Sequence, residues 1–204
     1  FHFRSRVQMI FQDPYSALNP QKTIKQAFDE PLRIHGVASA GERLERMTRL
    51  MERVNLRKEM LDRFPHEFSG GQRQRISIAR ALCVGPDTVV CDEPVSSLDV
   101  SIQAQIVNLL LDIQETTRAA YLFISHDLRV VRHVAHRIAV MYLGRIVEVG
   151  PTDRVFAQPL HPYTRALLSA MPTADTSRRK LRLLLEGDPP DPLAPPTGCP
   201  FHPR

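Results

Sequence analysis

No stretch of this chain reaches the ~18 apolar residues that a membrane-spanning helix requires, and no secretory leader pattern opens it. Attachment to a membrane would therefore need partner subunits. Cysteine is scarce. Cys83, Cys91 and Cys199 are the only three in 204 residues, odd in number and far apart, which excludes a disulfide framework and fits a reducing compartment. Cys83 and Cys91 fall in apolar runs and read as small buried hydrophobes. Cys199 and His202 supply too few ligands for a metal centre. Basic residues outnumber acidic ones 27 to 22, for a net charge of +5, yet no basic block occurs beyond Arg178-Arg179-Lys180. A solvated surface is the better reading, and no nucleic-acid partner is expected. The chain also lacks any Gly-x-x-x-x-Gly-Lys-Ser/Thr segment. Without that loop no backbone cradle and no lysine meets the β- and γ-phosphates of a nucleotide.

What is present centres on Ser69-Gly70-Gly71-Gln72. A hydroxyl residue and two glycines stand directly before the apolar-periodic run Ile76 to Leu82. This places a bare backbone at a helix N-terminus, where unpaired N–H groups and the positive end of the helix dipole suit a phosphate. Further on, Thr88-Val89-Val90-Cys91 reads as a fully buried strand that ends in Asp92-Glu93. Carboxylates at such a strand end face the ligand side of an open α/β sheet. One can hold magnesium, directly or through water, and the other can orient or deprotonate water. A solvated acidic pair is the bland alternative. Two more strand-like runs end in polar residues: Val7 to Phe11 in Gln12, and Ala120 to Ser125 in His126. Glutamine offers an acceptor and donors to a metal ion and its waters. A lone histidine is more often structural, but this one ends a strand of the same presumed sheet.

Along the chain, residues 1–12 read as the end of a first part of a core, closing on a strand. Residues 13–66 have a helical character: Ser39-x-x-Glu42 is a possible capping box, Leu44, Met47, Met51 and Val54 recur at helical spacing, and Pro65 breaks the pattern. Residues 67–149 alternate helix and strand, which argues for a mostly parallel sheet. Ile102, Ile106, Leu109, Leu110 and Ile113 mark one helix face, and Leu128, Val131 and Val134 another. Met141 to Val147 predicts a hairpin turning at Gly144, with Gly150-Pro151 closing the core. Residues 150–204 form an extension with a short helix over 164–170 and, from Pro189, a proline-rich tail of extended backbone.

The order of these motifs resembles the ATP-binding-cassette (ABC) ATPases over nearly the whole chain. Gln12 matches the family's Q-loop, Ser69 to Gln72 its signature motif (with Phe68 for the usual leucine), and Val89 to Asp92 its Walker B strand. Glu93 matches its catalytic base, Ser97-Leu98-Asp99 its D-loop and His126 its switch histidine. Phe11 to Pro20, Asp99 to Gln105, Met141 to Glu148, His161 to Thr164 and Gly198 to Arg204 resemble the dipeptide and oligopeptide importer branch. The resemblance implies a partial ABC-type P-loop NTPase core of mostly parallel sheet with flanking helices, a helical subdomain and a Pro-rich C-terminal extension.

It further implies ATP and Mg2+ as cofactors. Gln12, Ser69, Gly70, Gly71, Gln72 and Asp99 would serve the nucleotide, Asp92 and Gln12 the metal, and Glu93 and His126 the catalysis. Expected partners are a second ABC ATPase subunit, two transmembrane permease subunits and, indirectly, an extracytoplasmic peptide-binding protein, with the chain peripheral on the cytoplasmic face of the membrane. The family's phosphate loop precedes the Q-loop, so the chain is expected to be the C-terminal portion of a longer protein and to be inactive alone. The alternative function is a soluble, non-transport ABC ATPase acting on nucleic acid or ribosomes. Such proteins usually carry long coiled coils or tandem cassettes, and neither is visible here.

Overall fold

Three short parallel strands position the chemistry in the computed structural model, which describes residues 2–171, 187, 190, 191, 193, 194 and 196–203. Strands β1 (Val7–Ile10), β2 (Thr88–Asp92) and β3 (Ala120–Ile124) lie in the order β1-β2-β3. Their register pairs Ile10 with Cys91 and Asp92 with Ile124. Central β2 is the apolar run expected of a fully buried strand, but its burial alternates: Val89 and Cys91 are fully buried on one face, while Thr88, Val90 and Asp92 on the other are only half-buried. Since all three strands run the same way, the residues that follow them emerge on one side of the sheet. A one-turn helix, α1 (His2–Arg6), precedes β1, so the opening residues are helical as well as extended.

The described residues divide into two compact units, Phe1–His126 and Asp127–Arg204. In the first, α2 (Pro14–Ala17) follows the Gln12 loop and is capped by Asp13, whose carboxylate accepts from the Tyr15 N–H. Helix α3 (Ile24–Ile34) opens with a reciprocal box between Thr23 and Gln26. Helix α4 (Ala40–Arg53) is capped by Ser39, which accepts from Glu42 N. Its inward stripe is Met47, Leu50, Met51 and Val54, while Leu44 is exposed. The expected stripe thus starts one turn late: Leu44 shares the face of Met47 and Met51, but the helix is not covered at its level.

Helix α5 (Gly70–Leu82) is buried along Ile76, Ile78, Ala79, Ala81 and Leu82. Helix α6 (Val100–Thr117) buries Ile106, Val107, Leu109, Leu110 and Ile113, with Ile102 half-buried at its start. It ends at Arg118, a residue with φ 58° that closes the helix in the left-handed conformation.

The second unit contains α7 (Leu128–Val134) and the antiparallel hairpin of β4 (Arg137–Tyr142) and β5 (Arg145–Pro151). The turn sits at Leu143-Gly144, both at positive φ, as a two-residue hairpin loop demands. Gly150 and Pro151 do not close the core. They pair with Ile138 and Arg137 inside β5, so a division at 149/150 would cut a strand. Ile138, Val140 and Val155 form the small core, joined by α8 (Thr152–Ala157) and α9 (Pro162–Ser169). Tyr142, Tyr163 and Phe201 pack ring against ring beside it. Arg178-Arg179-Lys180 lies outside the described residues, as does part of the run from Pro189.

Candidate active site

At the carboxyl side of the sheet, Gln12, Glu93 and His126 meet. One oxygen of Glu93 accepts from Gln12 Nε2 at 2.9 Å, and the other lies 3.1 Å from His126 Nδ1. Each residue follows a different strand, and the parallel register brings the three strand ends side by side. The Glu93 side chain is 25 % exposed and that of His126 73 % exposed, so the carboxylate is sheltered and the imidazole is open to a ligand. Gln12 spends its amide N–H on Glu93 and keeps its carbonyl oxygen as an acceptor. Asp92 ends β2 in a half-buried position, and among the described residues no donor pairs with its carboxylate. The donor types present, a carboxylate on Asp92 and a side-chain carbonyl on Gln12, are the oxygen ligands that magnesium takes. No cluster of three or more His, Cys, Asp or Glu that would hold a metal by itself occurs among the described residues.

Glu93 has φ +43°, uncommon for a residue with a side chain. Its N–H donates to Ile124 O at 3.0 Å, and its carbonyl accepts from the N–H and the hydroxyl of Ser96 at 3.2 and 3.1 Å. This backbone conformation was not legible in the motif. Glycine is the usual residue at positive φ, and a glutamate there carries no sequence signal.

The Ser69 to Gln72 stretch forms a separate feature. Ser69 is the N-cap of α5. Its oxygen accepts from Gln72 N at 3.3 Å, and Gln72 Oε1 accepts from Ser69 N at 3.0 Å. The reciprocal box leaves the Ser69 hydroxyl hydrogen available to a ligand. Gly70 and Gly71 head the helix, where no preceding turn offers a carbonyl to their N–H groups. Ser69 is exposed, and Gly70, Gly71 and Gln72 are half-exposed, so the tip is open. A Cβ on Gly71 would stand 2.8 Å from Ile102 Cγ2, and one on Gly70 3.8 Å from Leu98. The glycine at 71 is thus required by packing on the start of α6 within the same chain. Asp99 is the N-cap residue of α6, but its side chain makes no capping bond, which leaves an exposed carboxylate free.

Sequence reasoning missed Arg73. It is buried with no carboxylate beside it: Nε donates to Pro65 O at 2.7 Å, one terminal nitrogen donates to His66 O at 3.2 Å, and the guanidinium lies 4.0 Å over the Tyr15 ring. With Arg80 donating to Ala17 O at 2.5 Å, it ties the segment after Gln12 to α5. An arginine in a charged helix reads as surface, and only the aromatic partner far along the chain reveals otherwise.

Two family models match the chain: "ABC transporter" over residues 1–96 and "Oligopeptide/dipeptide transporter, C-terminal region" over residues 147–204. The probable peptide ABC transporter ATP-binding protein y4tS of Sinorhizobium fredii is 54 % identical over 202 residues, covering 99 % of this chain and 57 % of that protein. The dipeptide transport ATP-binding protein DppF of Haemophilus influenzae is 53 % identical over 201 residues, 98 % of this chain and 62 % of that protein. The di/tripeptide transport ATP-binding protein DppF of Pseudomonas aeruginosa gives the same figures. The chain thus spans about three fifths of the length of these relatives. Among solved structures, cbiO1 from Clostridium perfringens, part of the ABC transporter complex cbiONQ, superposes with a TM-score of 0.68 at 25 % identity, over 77 % of this chain and 61 % of that one. The chain belongs to the ABC transporter ATP-binding proteins, in the branch that carries the oligopeptide/dipeptide transporter C-terminal region.

Proposed function

We propose that this chain is the greater part of an ATP-hydrolysing subunit that powers import of dipeptides or oligopeptides through a membrane transporter. The observation that carries the reading is the convergence of Gln12, Glu93 and His126 after three parallel strands. The names of the relatives support the peptide substrate. No helix among the described residues is long and apolar enough to cross a membrane, so two permease subunits would provide the passage. The subunit would sit against them on the cytoplasmic face, with an extracytoplasmic peptide-binding protein delivering the cargo.

ATP, when bound, would supply the phosphoanhydride whose hydrolysis drives transport, and Mg2+ would neutralise charge on its phosphates. Asp92 and the Gln12 carbonyl would hold the metal and its waters. Glu93 would orient water and accept its proton through carboxylate lone pairs not spent on Gln12. The exposed His126 would donate toward charge that develops on the transferred phosphoryl oxygens. The Ser69 hydroxyl and the N–H groups of Gly70 and Gly71 would meet the phosphates held by a second ATPase subunit, packed head to tail, and Asp99 would order that interface.

The test is Glu93→Gln in the complete cassette, meaning these residues joined to a phosphate-loop segment and assembled with the permease subunits. Nucleotide binding and subunit closure should persist while turnover falls by about two powers of ten or more, as removal of a general base does. Near-normal steady-state turnover would remove Glu93 from the role. Alone, the 204 residues should show no magnesium-dependent ATPase activity.

A further inference from the structure

The left-handed backbone at Glu93 is held by a turn, and the turn is held by a single side chain. Residues Pro94 to Asp99 connect β2 to α6. Within them Ser96 anchors the Glu93 carbonyl with both its N–H and its hydroxyl. The carbonyls on either side of Ser96, those of Val95 and Leu98, both accept from Nε2 of Gln103, each at 3.0 Å. Gln103 stands on the first turn of α6, where its own N–H donates to Asp99 O at 2.8 Å. Its amide nitrogen carries two hydrogens, and both are spent on the turn. Among the described residues no side chain from outside the turn makes another hydrogen bond to it.

We infer that Gln103 is a positioning residue for Glu93. It clamps the connecting turn so that the strained glutamate keeps its carboxylate between Gln12 and His126. A positive φ on a non-glycine residue persists only where the surroundings over-determine it. Here three hydrogen bonds fix the Glu93 peptide groups directly, and the two from Gln103 fix the turn that supplies two of those three. Gln103 touches neither Gln12 nor His126, so it acts through geometry alone. The inference rests on the reading of Glu93 as the catalytic base.

Gln103→Glu is nearly isosteric but replaces two donors with carboxylate oxygens facing two carbonyls. In the complete cassette it should lower kcat about tenfold or more, as a displaced reacting group does, while KM for ATP changes by less than about twofold, because no nucleotide contact is lost. Gln103→Lys, whose ammonium can donate to both carbonyls, should recover most of the rate. On a Glu93→Gln background, Gln103→Glu should cost less than about twofold more, since a residue that acts through Glu93 has nothing left to position.

An unchanged kcat in Gln103→Glu overturns the inference. So does a fully additive loss on the Glu93→Gln background, and so does misfolding of both Gln103→Glu and Gln103→Lys, which would make the residue a general stability element. The two readings fail separately. Normal turnover in Glu93→Gln alone defeats the assignment of the base, whereas an inactive Glu93→Gln beside a normal Gln103→Glu defeats only the clamp.

Discussion

Two glutamates of this chain each hold two hydrogen bonds, and the bonds are of opposite kinds. Glu93 follows a strand of the first unit and is met by side chains, Gln12 Nε2 and His126 Nδ1. Glu148 lies in the hairpin of the second unit and is met by main chain, the N–H groups of Leu160 and His161 at 2.9 and 3.0 Å. Side-chain partners on long or exposed residues can release the carboxylate and turn toward a ligand. Main-chain partners are fixed by the fold and cannot. Glu93 also sits in a costly backbone conformation, while Glu148 lies in β5 beside a register shift of the ladder and is not among the positive-φ residues. The first is placed to exchange partners, and the second pins the segment before α9 to the hairpin.

Reciprocal substitutions break the comparison most directly. Glu93→Gln should cost turnover about a hundredfold or more and leave the melting temperature nearly unchanged. Glu148→Gln should do the reverse, lowering the melting temperature of the complete cassette with turnover retained within about twofold. Parallel losses in both assays for both variants would erase the distinction. Next in size, His126→Ala should reduce kcat about a hundredfold if its imidazole meets developing charge. Gln12→Ala should cost about tenfold, the worth of one hydrogen bond to a charged group.

Much of the site was legible in the sequence because parallel strands make a simple rule. An apolar run that stops at a polar residue presents that residue at the sheet's edge, and Gln12, Glu93 and His126 all obey it. The hairpin at Gly144 and the α6 face were legible for similar reasons of turn chemistry and period. Other features were not. Gly150-Pro151 reads as a stop, yet a proline whose missing N–H faces away from its partner is tolerated in an edge strand. Leu44 continues a helical repeat that the fold does not bury, because periodicity says which residues share a face and not how much of the helix is covered. Arg73 and Gln103 act across tertiary contacts with Tyr15 and with the Val95 and Leu98 carbonyls, and no local pattern encodes those.

The tip of α5 sharpens the contrast, since it is built of main chain, like the Glu148 brace, yet is open, like Glu93. Gly71→Ala places a methyl 2.8 Å from Ile102 Cγ2, and a β-branched side chain cannot swing away cheaply. Turnover should fall about tenfold, through displacement of the tip. Adding Ile102→Ala makes room. If packing within the chain is the whole need for glycine, the double variant recovers. If the backbone must also approach a phosphate held by a neighbouring subunit, it does not. ATP-dependent subunit closure, measured alongside turnover, tells the two apart.

The smallest effect concerns Glu148 and pH. Partial burial pulls its carboxyl up, but the Leu160 N–H, the Thr164 side chain and the His161 N–H together outweigh this, and the group titrates below its ordinary 4.5. A carboxylate whose folded-state pKa is depressed contributes stability above the unfolded pKa and loses it as pH falls through the folded value. Glu148 therefore stabilises at pH 7, and the contribution fades below about pH 4.5. Water reaches the group, so its worth is at most ~1 kcal/mol, a few degrees in the melting temperature of a unit this size. Melting curves of the wild type and Glu148→Gln should differ at pH 7 and draw together between pH 5 and 3. A gap that stays constant across that range would mean the brace works through shape rather than through the charge that the two N–H groups hold in place.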